Sequence, residues 1–320
     1  MAPPEHPRAS VVVCTMNRSK VLAEACESAL RLQFDAPWEL LIIDNGSTDD
    51  TLEIAHGLRR RHPDRVRVEQ EGELGLSAAR NAGIRHARGE ILAFLDDDAF
   101  PEAGWLQDLD DALSGDGVLA AGGPVDPLFQ GELPEWFDDR YLPYVTVWDL
   151  GPEPVDLAYN EYPRGANMAF HRDAFGRFGW FTTYLGRKGK SLLSCEETEL
   201  CLRIERGGFR VVYVPGARVQ HMVNAERIDE GWLVDRFAAQ GGSEAIVDWM
   251  HGGLAGLRRG RARFRRNAEA AAGETGPGAD LYRRVQRASL KGYTAQALRC
   301  PLRVPRYRPV ADAADWLPFA

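Results

Sequence analysis

Three consecutive aspartates, Asp96, Asp97 and Asp98, follow the apolar run Ile91 to Leu95. Two carboxylates at positions i and i+2 beyond a buried strand can converge on one hard divalent cation. Mg²⁺ or Mn²⁺ prefers such oxygens, together with diphosphate oxygens and water. The plainer role is a polar turn in which an aspartate caps a helix starting near Pro101, since Asp suits the N-cap and Pro the first helical position. A cap accounts for only one acid, however, and adjacent like charges repel. A second acidic pair, Glu196-Glu197, opens a helical pattern with Leu200, Cys201 and Ile204 on one face and Gly207-Gly208 at its end. One of the pair could be a general base; alternatively, Ser194 and Glu197 could form a capping box, with acids favoured there by the helix dipole. His221 follows the apolar segment Arg210 to Val214. As a neutral imidazole it could complete a metal site, although a lone histidine is more often structural or exposed.

The run Leu74 to Gly83 reads LGLSAARNAG. Gly75 lets the backbone turn, Ser77 could cap the helix, and Arg80 sits near a helix start, where the dipole disfavours a cation. That placement points to pairing with an anion; the alternative is an exposed arginine on an Ala-rich helix. The basic run Arg258 to Arg266 could attract anionic lipid or a phosphorylated acceptor, or form a solvated helix face. Trp136, Tyr141, Tyr144 and Trp148 could stack on a sugar or form the core of a small subdomain.

The elements that must position these residues follow from periodicity. Continuous apolar runs at Ser10 to Thr15, Leu40 to Ile43, Val66 to Glu69 and Ile91 to Leu95 read as strands. Helical spacing covers Val21 to Leu32, Thr51 to Arg61 and Ser77 to Arg88, with His62-Pro63 and Gly89 as stops. Buried strands alternating with amphipathic helices imply an α/β fold with a mostly parallel sheet covered on both faces. Ligands bind at the carboxyl ends of such strands, and the polar clusters Thr15 to Arg18, Asp44 to Ser47 and Asp96 to Asp98 fall there. From Val118 the alternation fades. Pro127 to Pro163 has the composition of a long loop or lid. Order resumes at Asn167 to Phe170, Cys195 to Arg206 and Arg210 to Val214, and after His221 the pattern is mainly helical. Ala271 to Ala279 reads as a linker and Arg299 to Ala320, with its prolines, as an extended tail.

Composition narrows the class. The 320 residues are 44% hydrophobic and 27% charged, ordinary for a globular protein. A net charge of -8 argues against polyanion binding by the whole surface, so no nucleic-acid partner is expected. No apolar run approaches the roughly 20 residues of a membrane span, and Met1 to Ser10 is too polar for a signal peptide. Five cysteines without a CxxC spacing suggest neither a zinc site nor a disulfide framework. A reduced, cytoplasmic location is the expectation.

Six segments, in order, resemble the family 2 glycosyltransferases: VVVCTMNR, LLIIDNGSTDDT, GLSAARNAGI, ILAFLDDDAFPEAGWL, RGANMAFHRDAF and EETELCLRIERGGFRVVYVPGARVQH. They span Ser10 to Val223. The resemblance implies a GT-A fold, Rossmann-like with flanking helices, over residues 1–223, with nucleotide-sugar binding in about 10–123 and the acceptor side in 124–223. Residues 224–320 would be a helical C-terminal extension with a Pro-rich tail. The resemblance also implies inverting transfer from a nucleoside diphosphate sugar, UDP by default, assisted by Mn²⁺ or Mg²⁺. By position, Thr15, Asn17 and Arg18 would line the nucleotide pocket, Asp44 would bond the base with Asn45 and Ser47 nearby, and Arg80 would hold the nucleotide. Asp96 and Asp98 match the DxD motif, Asp96 near the ribose and Asp98 as direct metal ligand, with Asp97 as spacer. Gly165, Ala166 and Asn167 would border the donor sugar. Glu197, beside Glu196, stands where the family places its base, and His221 where many members place a metal ligand. Two departures are Glu196-Glu197 in place of the usual Glu-Asp, and Met16 in place of an aromatic residue. The acceptor is open: an envelope glycan, a lipid-linked intermediate, a protein or a small natural product. The 258–266 run would allow peripheral contact with the inner face of a membrane.

Rival readings are weaker. A nucleotidyltransferase would carry a Gly-rich loop after the first strand, and Thr15 to Lys20 has no glycine. A dehydrogenase would show GxGxxG there. A non-catalytic binding protein would be expected to have lost acids from the metal or base positions, and none is missing.

Overall fold

The computed structural model describes residues 6–159 and 161–307, so parts of the N-terminal stretch and of the expected tail lie outside the described residues. The chain runs β1 (Ala9–Thr15), α1 (Leu22–Ala29), β2 (Trp38–Asp44), α2 (Thr51–Arg61), β3 (Val66–Gln70), α3 (Leu76–His86), β4 (Ile91–Asp96), β5 (Ala99–Pro101), α4 (Trp105–Leu113), β6 (Val118–Gly122) and β7 (Val125–Gln130). It continues with β8 (Val155–Asp156), β9 (Asn167–His171), α5 (Arg172–Phe178), α6 (Glu196–Arg206), β10 (Arg210–Tyr213), β11 (Val219–Asn224), α7 (Glu230–Ala271) and α8 (Ala279–Arg303).

Eight strands form one sheet in the order β3-β2-β1-β4-β9-β6-β10-β8. β1 to β4 are parallel, while β9 runs antiparallel between β4 and β6. Alternate side chains serve opposite faces: Val12 joins one apolar core with Leu41, Phe94 and Phe170, while Val11 and Val13 join the other with Leu40, Ile42 and Trp105. The register sets the ends of three strands level, with Thr15 opposite Asp44 and Cys14 opposite Asp96. A side sheet, β5-β11-β7, completes the arrangement. In it His221 pairs opposite Ala99, one residue beyond the aspartates, and the Met222 amide donates to the Asp98 carbonyl at 2.9 Å.

The C-terminal third is a helical bundle. α7 is broken at Gly253, whose φ of 56° and ψ of -145° lie outside the helical region; glycine takes that conformation without steric cost. The helix after the break folds back on the one before it, so Arg263 reaches Glu244 at 2.5 Å. α8 packs on both, and Tyr293 donates to Asp248 at 2.8 Å. Contact is close: a Cβ on Gly292 would fall 1.9 Å from the Ala238 carbonyl. The bundle joins the rest through Tyr141, Leu233, Phe237, Leu281 and Val285.

Several local expectations change. Pro101 lies in β5 and α4 starts only at Trp105. α8 runs through Pro301 to Arg303 instead of giving way to an extended tail at Arg299; a proline in the last turn forfeits only one helical bond. The segment 127–163 holds the end of β7, a 3-10 turn at Leu142–Val145 and β8.

Candidate active site

The carboxyl ends of β1, β2 and β4 surround a cavity of about 430 Å³. Thr15, Asn17, Arg18, Asn45, Asp96, Asp97 and Asp98 line it. Asp44 and Ser47 sit behind the wall: the Ser47 amide donates to Asp44 Oδ2 at 3.3 Å, and Ser47 Oγ accepts from the Asn17 amide at 3.0 Å. Asp44 Oδ1 is buried with no hydrogen-bond partner. Asn45 clamps neighbouring loops, donating to the Glu71 and Glu73 carbonyls and accepting from the Gly75 amide.

Asp98 is buried among cations. His221 Nε2 lies 3.1 Å from its Oδ1, with Arg18 and Arg227 at 3.4 and 3.6 Å from its Oδ2. One ligand atom each from Asp96, Asp98 and His221 fall within 4.8 Å of one another. Asp98 Oδ2 and His221 Nδ1 are buried without a hydrogen-bond partner, and the two carboxylates with an imidazole form a set that could hold a divalent cation. Burial opposes ionisation of Asp98, but the His221 contact, Arg227 and Arg18 outweigh it and hold its carboxyl well below the usual range. Burial and the charge of Asp98 push Asp97 up to about 7, with Arg18 opposing. No helix is capped by these acids, because the N-cap of α4 is Gly104.

A second cavity of about 300 Å³ shares Leu76, Asp96, Thr146 and Arg187 with the first. Glu196, Glu197, Gly165 and Ala166 line it. Arg80 ties the two cavities together: its guanidinium donates to Glu196 Oε1 at 2.5 Å and to the Gly165 carbonyl at 3.1 Å, with Asp96 at 3.5 Å. Its fork is therefore largely engaged within the protein. Ser77 donates to the Leu185 carbonyl instead of capping α3. The capping box at α6 is also absent: the N-cap is Cys195, and Ser194 Oγ donates to Gln240. Glu197 is thus free of that duty, and its Oε2 is buried and unpartnered. Burial first, then the charge of Glu196, pushes its carboxyl up to about 7.

Asn167 is a correction. It lines neither cavity; its side chain donates to the Pro124 and Ala217 carbonyls at 3.0 and 2.7 Å and accepts from Trp105 at 2.8 Å. Its side chain is a fully buried strut. Of the aromatics, Trp136 and Tyr141 belong to a packed cluster, and Trp148 sits edge-on to Tyr213. Tyr144 stacks on Phe237 and also lines the second cavity. Four arginines escaped the sequence reading: Arg227 and Arg187 in the first cavity, and Arg164, Arg187 and Arg236 in the second. For Arg236 a signal existed, since it falls on the apolar face of α7 between Leu233 and Phe237.

The model of glycosyl transferase family 2 matches residues 10–181. A glucosyl-dolichyl phosphate glucuronosyltransferase of Haloferax volcanii is 32% identical over 249 residues, covering 76% of this chain and 78% of that protein. The succinoglycan biosynthesis protein ExoM of Rhizobium meliloti is 27% identical over 70% of both chains. Among solved structures, the mannosyltransferase PcManGT of Pyrobaculum calidifontis, in complex with GDP-Man and Mn²⁺, aligns with a TM-score of 0.58 at 22% identity over 93% of this chain and 88% of that one. GalNAc-T7 with UDP, GalNAc and Mn²⁺ aligns with a TM-score of 0.57 at 17% identity over 92% of this chain and 57% of that one. These two likenesses are of fold.

Proposed function

Since the chain belongs to glycosyl transferase family 2, has the GT-A fold and is a glycosyltransferase, we propose that it moves a sugar from a nucleoside diphosphate to an acceptor hydroxyl or amine with inversion, using Glu197 as base. One observation carries this reading. Asp96 and Asp98, with His221 buried behind Asp98, and Glu197 face two cavities that share Asp96 and are braced by Arg80.

Asp98, Asp96 and His221 would hold Mn²⁺ or Mg²⁺, which when bound neutralises charge on a departing diphosphate. Arg18 and Arg227 stand beside Asp98, placed to meet the same phosphates. Glu197 takes a proton from the acceptor as its oxygen or nitrogen attacks the anomeric carbon. The bond from that carbon to the diphosphate oxygen breaks, and its electron pair leaves with the nucleotide. A carboxyl held near 7 by burial is well matched to general base work at neutral pH. Arg80 fixes Glu196, and through it the first turn of α6 that carries the base.

UDP is the nucleotide we expect, and a lipid-linked intermediate is the acceptor class best supported, by the printed name of the Haloferax relative. An envelope glycan, a protein or a small natural product are the alternatives. Peripheral contact with an anionic membrane surface, expected at its cytoplasmic face, is supported by a groove in the bundle. Arg258, Arg261, Arg265, Arg287 and Lys291 line it with Leu290 and Leu298, without a carboxylate. No helix among the described residues is long and apolar enough to cross a bilayer.

The direct test is a panel of UDP- and GDP-sugars incubated without acceptor, with Mn²⁺ or with chelator. Slow release of the nucleoside diphosphate from one donor, lost on chelation, is expected. Release of pyrophosphate from a nucleoside triphosphate instead would establish nucleotidyl transfer and end this reading.

A further inference from the structure

Arg164, Arg187 and Arg236 line the cavity that holds Glu197. The ion pairs around that cavity go elsewhere, Arg80 to Glu196 and Arg263 to Glu244. None among the described residues reaches these three arginines. Arg236 is 9% exposed, with Nε and Nη1 buried and unpartnered; Arg164 Nε is likewise buried and unpartnered. Arg164 rests over the Trp148 ring at 5.6 Å, a contact that leaves its in-plane donors free. Buried donors on a charged group are costly to leave unsatisfied, and native interiors rarely do so. Glu197 is near both arginines, yet its Oε2 has no hydrogen bond, so they do not clasp it. The donor diphosphate belongs to the other cavity, where Arg18 and Arg227 stand. Arg187 borders both cavities, whereas Arg164 and Arg236 line only the one with the base.

We propose that Arg164 and Arg236 form a subsite for an oxyanion carried by a substrate, a carboxylate or phosphate held beside the reacting acceptor group. The subsite rests on the glycosyl-transfer reading above and narrows its substrates to anionic ones. Guanidinium donors fixed in a partly closed cavity bind such groups through charge-assisted hydrogen bonds. Burial depresses the pKa of both arginines, and the nearby charge of Glu197 offsets it only in part. An incoming anion relieves that penalty.

The anion has two possible carriers, a uronic acid on the donor or a phosphate on the acceptor. Calorimetry in the presence of Mn²⁺ separates them. UDP-glucuronate is compared with UDP-glucose, and an isoprenyl monophosphate with the matching isoprenol on UDP-saturated protein; GDP and its sugars replace UDP if the chain takes GDP. One anionic probe is expected to bind about tenfold tighter than its neutral partner or better, UDP-glucuronate for the donor carrier and isoprenyl phosphate for the acceptor carrier. Arg236→Gln and Arg164→Gln should erase most of that preference, and Arg236→Lys should keep part of it. Binding of the nucleoside diphosphate itself should be unchanged, which also reports correct folding. The proposal is overturned if neither pair shows a preference, or if the preference survives both Gln variants. Equal weakening of the diphosphate and the anionic probe would assign the arginines to the diphosphate and equally overturn it. Failure of the unmodified chain to bind any nucleoside diphosphate would sink the donor reading, and the subsite with it.

Discussion

Glu197 stands in the first turn of α6 with its carboxyl in a cavity wall and no partner for Oε2. Glu197→Gln keeps the shape and removes the base, so transfer should fall by about 10²- to 10⁴-fold while nucleotide affinity holds. The base works only when ionised, and burial raises its pKa from the ordinary carboxylate value to about 7. The rate should therefore fall as pH drops through about 7, not near 4.5; a kcat–pH profile locates the limb. Asp98→Ala should abolish the Mn²⁺ dependence of nucleotide binding, read by titration with and without chelator. At this scale the acids were legible because their spacing beyond a strand has few other uses. The bracing role of Asn167 was not legible, because a polar residue at a strand start looks the same in sequence whether it faces a ligand or ties two loops to the start of α4. Arg187 and Arg227 have no spacing signature, since single cations in loops and short turns are commonplace, and Arg164, although it opens the RGANM segment, carried no assigned role there.

Among the elements, β1 to β4 and the helices between them were readable because each strand is a continuous apolar run and each helix carries a 3.6-residue pattern. β5, β7, β8 and β11 were not readable. β5 and β8 are only three and two residues long, β7 and β11 mix polar with apolar residues instead of forming a continuous apolar run, and all four pair out of chain order in a side sheet or at an edge. The reversal at Gly253 was equally hidden, since helical spacing continues on both sides of it. Two predictions belong here. The basic groove between the second part of α7 and α8, with Leu298 75% exposed at its rim, should bind vesicles containing phosphatidylglycerol but not pure phosphatidylcholine. Cosedimentation should be salt-sensitive and lost in Arg258→Glu/Arg261→Glu. Gly292→Ala would drive a Cβ into the Ala238 carbonyl, and overpacking of that kind costs about 1–3 kcal/mol, read as a lowered urea midpoint. Gly176→Ala in α5, where a Cβ meets nothing within 4 Å, is the control and should be neutral or slightly stabilising.

Over the whole molecule, the two cavities draw on residues from Cys14 to Glu244. The bundle contributes Arg236 and Gln240 to the wall beside the base. Its first helix also reaches α6 through His251 and the buried Glu199, 2.8 Å apart. His221 owes its place to β11 alone, which lines it up with Ala99 across the side sheet. Strand side chains alternate, so adding one residue between Val219 and His221 would turn the imidazole to the opposite face unless a bulge absorbed it. Such a protein should fold, bind nucleotide weakly and ignore Mn²⁺, whereas the same residue added in the 273–277 connection should change neither property. Chain length, residue by residue, is thus constrained around β11 and free at that connection, so tolerance to insertion would map the reaction centre without any substrate in hand.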